Sequence, residues 1–124
     1  MQDGKYVILC IDDDPDIRVI LRKVLEAAGH VCVVAAGAKE GLHAYKSVRP
    51  DLVIVDLMME EIDSGAAFVR DLALLDNTAP VCMLSSVGDE LAMNIDAESL
   101  GLAAVFQKPV DAARLVASVK AQLG

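Results

Sequence analysis

Aromatic side chains are nearly missing from this chain: they make up 3% of its 124 residues, and there is no Trp. Base-stacking platforms and aromatic cages need such rings, so neither is expected. Positive charge is also scarce. Eleven Lys and Arg stand against 19 Asp and Glu, for a formal net charge of −8. That excess repels phosphate backbones and anionic lipid, which argues against direct nucleic-acid or membrane binding as the main task. No apolar run approaches the ~20 residues of a membrane span, and the first residues, Met1 to Tyr6, lack a basic-then-apolar targeting pattern. Cys10, Cys32 and Cys82 have no C-x-x-C spacing and sit singly inside apolar runs, as buried free thiols do. These absences predict a cytoplasmic protein.

What is present suits one folded domain. Hydrophobic residues make up 55% and charged residues 24%, and domains of ~100–150 residues are the commonest. Short apolar runs alternate with amphipathic stretches. Tyr6–Ile11 reads as a strand buried on both faces, Leu52–Val55 as another buried strand, and Val31–Ala35, Val81–Leu84 and Ala103–Phe106 as further strands. Between them, helical spacing predicts a helix capped near Asp14, with Pro15 in its first turn and Ile17, Ile20, Leu21, Val24 and Leu25 on its inner face, ending at Gly29. Further helices are expected over Ala38–Ser47, over Ala66–Leu75, from Asp89 toward Leu100 with a polar Asn94–Ser99 portion, and after Asp111 with Leu115, Val116, Val119 and Leu123 inward. Five βα units imply an α/β fold with a parallel sheet covered on both faces by five helices.

Parallel α/β folds place their chemistry at the carboxyl ends of the strands. The first strand ends in Asp12-Asp13-Asp14, the third in Asp56, the fourth in Ser85-Ser86 and the fifth in Gln107-Lys108-Pro109; the second ends in alanines. If the first and third strands are neighbours, Asp12, Asp13 and Asp56 share one pocket. Carboxylates that close cannot all stay ionised without a cation, and an oxygen-only set suits a hard ion such as Mg²⁺. The Lys108 amine can reach toward those carboxylates or an anion bound there, and Ser85 can donate a hydroxyl. A carboxylate flanked by a divalent ion, an amine and a hydroxyl can take up a phosphoryl group. His30 and His43 fall in a loop and on a surface helix, and neither serves this chemistry.

Four motifs in order, ILCIDDDPDI, LVIVDLMM, VCMLSS and FQKP, resemble the receiver domain of bacterial two-component response regulators over residues 5–123. The resemblance implies a flavodoxin-like doubly wound sandwich with strand order 2-1-3-4-5. It implies that Asp56 is the phosphoacceptor and that Asp13, Asp56 and the backbone carbonyl of Met58 hold Mg²⁺, with Asp12 acting through water. Ser85 and Lys108 would contact the phosphoryl group. The implied donor is a sensor histidine kinase or phosphotransfer protein, the downstream effector is unnamed, and the domain would be a monomer or weak dimer, standing alone or as part of a longer regulator. Such a domain phosphorylates and dephosphorylates itself and is not a metabolic enzyme.

Several positions depart from the family pattern. Glu60 stands where Pro is usual, Ser64 where Gly is usual, and Val105 where the family carries its switch aromatic, with Phe106 on the opposite face by strand alternation. Met58 and Val87, which by resemblance flank the line of water attack, are both apolar, so slow loss of phosphate is expected. Two other readings compete. One is a receiver-fold binding module that signals without phosphorylation, motivated by Val105. The other is a small Mg²⁺-dependent phosphohydrolase using Asp12 and Asp14, which leaves Asp56 unexplained.

Overall fold

The computed structural model describes residues 4–56, 64–85 and 102–123, with the side chains of 64–67 excepted. The five apolar runs form β1 (Val7–Ile11), β2 (Val31–Ala35), β3 (Leu52–Asp56), β4 (Val81–Ser85) and β5 (Leu102–Gln107). All neighbours are parallel, in the order β2-β1-β3-β4-β5. Four helices are described: α1 (Pro15–Ala27), α2 (Ala38–Val48), α3 (Ser64–Leu74) and α4 (Ala112–Leu123). The helix expected from Asp89 toward Leu100, with its Asn94–Ser99 portion, lies outside the described residues.

Strand parity builds two cores. Ile8 and Cys10 face one side with Leu21 and Leu25 of α1 and Leu115 and Val119 of α4. Leu9 and Ile11 face the other with Tyr45 of α2 and Phe68, Val69 and Leu72 of α3. This period of two explains why β1, β3 and β4 read as unbroken apolar runs: both their faces are covered. Each fully buried Leu or Ile contributes ~1.5–3 kcal/mol, so the central strands are the most strongly fixed part of the sheet. The thiols are free and buried, as expected. Cys10 and Cys32 touch across β1 and β2 at 3.6 Å, and burial pushes Cys82 up to about 11, so it stays protonated at neutral pH.

Helix α1 starts where its sequence says. The Asp14 carboxylate accepts the Asp16 N–H at 2.9 Å, and Pro15 sits in the first turn where its missing N–H costs nothing. Its end is sealed by Gly29 at φ +94°, a conformation that favours glycine, with His30 N–H returned to Leu25 O at 3.0 Å. Ile20 corrects the expected inner face: it is 44% exposed. At ~100° per residue it lies about 120° from the midpoint between buried Leu21 and Leu25, beyond the core stripe.

One glycine fits a close approach. A Cβ on Gly41 of α2 would meet Ile11 Cδ1 at 2.5 Å and Cγ1 at 2.9 Å, and Ile11 is fully buried. Alanine gains ~1 kcal/mol of helix propensity that offsets part of the crowding, whereas a branched side chain overpacks a closed core. Gly41→Val is expected to lower stability by about 2–3 kcal/mol in denaturant titration. A stability equal to that of the native chain would contradict the close packing described.

Candidate functional site

The strand ends converge because the backbone ladder runs one residue past two of them. The Asp12 N–H donates to Ala35 O of β2 at 3.1 Å, and the Lys108 N–H donates to Ser85 O of β4 at 2.8 Å. Asp56 closes β3, in register with Leu84. Asp12, Asp56 and Ser85 are buried, and Lys108 lies over them with its Nζ 2.9 Å from Asp12 Oδ2 and 3.3 Å from Asp56 Oδ2. The Lys108–Pro109 peptide is cis.

Asp12, Asp13 and Asp56 each present a carboxylate oxygen, all within 4.8 Å of one another. Three carboxylates and one ammonium leave the cluster short of positive charge. Burial alone pushes the Lys108 ammonium down, but the Asp12 and Asp56 carboxylates more than reverse this and raise it above 10.5. Asp12 Oδ2 is buried and meets the Lys108 ammonium at 2.9 Å, an ion pair that leaves its remaining acceptor capacity unused among the described residues. Excess negative charge and an all-oxygen donor set, with Lys108 the one cation against two buried carboxylates among the described residues, together fit a hard divalent cation.

The expected site residues sort clearly. Asp12, Asp13, Asp56 and Lys108 are brought together, and Ser85 is buried at the adjoining strand end. Asp14 turns away to cap α1, and its N–H is accepted by Asp12 Oδ1 at 2.9 Å. The carbonyl of Met58 lies outside the described residues, as do Met59, Glu60, Ser86 and Val87. The two histidines are elsewhere: His43 is exposed on α2, and His30 tilts against the Tyr6 ring. Val105 is 42% exposed while Phe106 packs on the α1 and α4 side, so the two do lie on opposite faces of β5. The sequence reading passed over Arg18, whose Nη1 donates to the Asp12 carbonyl at 2.7 Å. Its only signal was a cation one turn past a helix cap that follows an acidic run.

Known proteins share the family and fold of this chain. The family model described as response regulator receiver domain matches residues 8–120. The chemotaxis protein CheY of Thermotoga maritima is 30% identical over 114 residues, covering 91% of this chain and 92% of that protein. The transcriptional regulatory protein PrrA of Mycobacterium bovis is 36% identical over 119 residues, covering 94% of this chain; this chain spans about half, 49%, of that relative's length. Among solved structures, a response regulator receiver domain protein from Clostridium thermocellum superposes with a TM-score of 0.85 at 28% identity, covering 95% of this chain and 94% of that one. The chain therefore belongs to the response regulator receiver domains, the phosphoacceptor signalling modules of two-component systems, which are not metabolic enzymes.

Proposed function

We propose that Asp56 accepts a phosphoryl group, in a Mg²⁺-dependent reaction, from a phosphohistidine on a sensor histidine kinase or phosphotransfer protein, and that the change it causes is read by a downstream effector in the cytoplasm. The observation that carries this is the Lys108 ammonium bridging Asp12 and Asp56, which makes one cluster from the ends of β1, β3 and β5. An Asp56 carboxylate oxygen attacks phosphorus as the phosphorus–nitrogen bond breaks, and the bonding pair leaves on the donor imidazole. Lys108 pairs with the phosphoryl oxygens, and the Ser85 hydroxyl donates to one of them. Asp13, Asp56 and the Met58 carbonyl would hold the ion, with Asp12 reaching it through water; when bound it would neutralise charge gathering on those oxygens. Hydrolysis of the acyl phosphate by water resets the domain. The direct test is labelling with acetyl phosphate: incorporation that needs Mg²⁺ and stops in chelator is expected, and none in excess Mg²⁺ would contradict the proposal.

The carboxylates should differ in weight. Asp12 is already engaged by the Asp14 N–H and Lys108, whereas Asp13 is exposed and its carboxylate accepts no hydrogen bond among the described residues. Calorimetric titration is expected to show a larger loss of Mg²⁺ affinity in Asp13→Ala than in Asp12→Ala. In chelator, Asp13→Ala should melt at or above the native temperature because repulsion is relieved, while Asp12→Ala also loses a bond worth ~1 kcal/mol. Equal affinities in the two variants would overturn the ranking. The phosphohydrolase reading fares poorly, since Asp14 is spent on capping α1 and does not face the pocket as an acid.

A further inference from the structure

We propose that Arg18 is a positioning residue for the divalent-cation site, acting through the peptide bond that joins Asp12 to Asp13; this rests on the reading of the cluster given above. Arg18 is half-buried in α1 and has four acidic neighbours in sequence, Asp12, Asp13, Asp14 and Asp16. Charge alone would pair it with a carboxylate. Among the described residues it pairs with none of them, and its guanidinium instead donates to the Asp12 carbonyl at 2.7 Å. A hydrogen bond from an ionised donor at that length is a strong one.

That carbonyl belongs to the peptide between the two acids. A peptide is planar, so fixing its oxygen also orients the bond leading into Asp13. The rest of Asp12 is tied elsewhere: its N–H to Ala35 O, its Oδ1 to the Asp14 N–H, its Oδ2 against Lys108. Asp13 has no such ties. Its carboxylate is exposed and accepts no hydrogen bond among the described residues, so its place within 4.8 Å of the Asp12 and Asp56 oxygens is set by the backbone. Arg18 holds the peptide that leads into Asp13, and the Asp12 carboxylate holds the one that leaves it.

Positioning and simple electrostatics predict opposite signs. As a positive charge beside the cluster, Arg18 repels an incoming cation, and its removal would tighten Mg²⁺ binding. As a positioning residue it organises the ligands, and its removal weakens binding; losing a group that orients a metal ligand commonly costs ~10–100-fold in affinity.

The experiment is calorimetric titration of Mg²⁺ into the full chain, native, Arg18→Met and Arg18→Lys, with melting temperatures in chelator measured alongside. Methionine keeps much of the apolar stem and removes every donor, which protects the fold. Lysine keeps a donor and the charge. Arg18→Met is expected to bind Mg²⁺ about tenfold more weakly at a nearly unchanged metal-free melting temperature, and Arg18→Lys to recover most of the loss. Unchanged or tighter binding in Arg18→Met overturns the proposal, and so does an Arg18→Lys chain as weak as Arg18→Met. A native chain that takes up no Mg²⁺ overturns the reading of the site itself, a failure seen before any variant is compared.

Discussion

Asp56→Asn should reduce phosphoryl uptake from acetyl phosphate in excess Mg²⁺ to background while leaving the domain folded. The substitution keeps the shape at the end of β3, where residue 56 pairs in register with Leu84, so the strand has no reason to move. What it removes is the anion. An amide oxygen carries no full charge and is a poor nucleophile toward phosphorus, and no flanking cation can make up for that. It also removes one negative charge from a cluster with three carboxylates and a single ammonium, so the metal-free chain should not become less stable. Loss of labelling with an unchanged or slightly raised melting temperature separates lost chemistry from lost fold. Undiminished labelling of the variant would move the acceptor to another residue.

The second large effect is expected at Lys108. Its Nζ is the cation lying against both buried carboxylates, 2.9 Å from Asp12 Oδ2 and 3.3 Å from Asp56 Oδ2, and its side chain is 17% exposed. Removing one partner of a buried charge cluster is far more costly than the pair is worth, because the remaining charges stay desolvated; ~3–5 kcal/mol is usual for full burial. With some solvent access the lower end applies, and Lys108→Met should cost about 3 kcal/mol in chelator, a drop of roughly 10 °C for a domain this size. Saturating Mg²⁺ should restore part of it by supplying the missing positive charge. The pH dependence has a definite sign. Lys108 is raised above 10.5 in the fold, so its contribution is complete below 10.5 and is lost as pH climbs through the raised value. Native protein should therefore lose more stability than Lys108→Met as pH climbs above 10.5, on top of the loss that buried Cys82 imposes on both chains. A variant as stable as the native chain in chelator at neutral pH would show that the ammonium does not hold the cluster together.

The sheet was legible because its signal is local and strong. A strand covered on both faces is apolar along its length, and β1, β3 and β4 are until Asp56 and Ser85 close the latter two. The site was legible because a parallel sheet collects its strand ends on one edge, so Asp12, Asp56 and Lys108 could be grouped without knowing a single distance. The misses have physical causes. Ile20 is apolar and at helical spacing from Ile17 and Val24, yet it falls outside the arc that Leu21 and Leu25 bury, because an apolar side chain at such spacing still lies about 120° from the centre of that arc. Arg18 looked like one more charged residue on a helix; the reach of its side chain back to the Asp12 carbonyl depends on how α1 leaves β1. Gly41 showed no turn signal, since its role is to let α2 approach Ile11 and is written in the partner strand rather than in its neighbours.

Mass-spectrometric location of the phosphoryl group identifies the acceptor residue. The native chain is incubated with acetyl phosphate and Mg²⁺, the acyl phosphate is trapped by reduction, and the modified residue is read from the fragment masses. A single modified aspartate, Asp56, is expected, with no modification when chelator replaces Mg²⁺. Modification at Asp12 or Asp13 would contradict it, and so would a chain that stays unmodified in excess Mg²⁺.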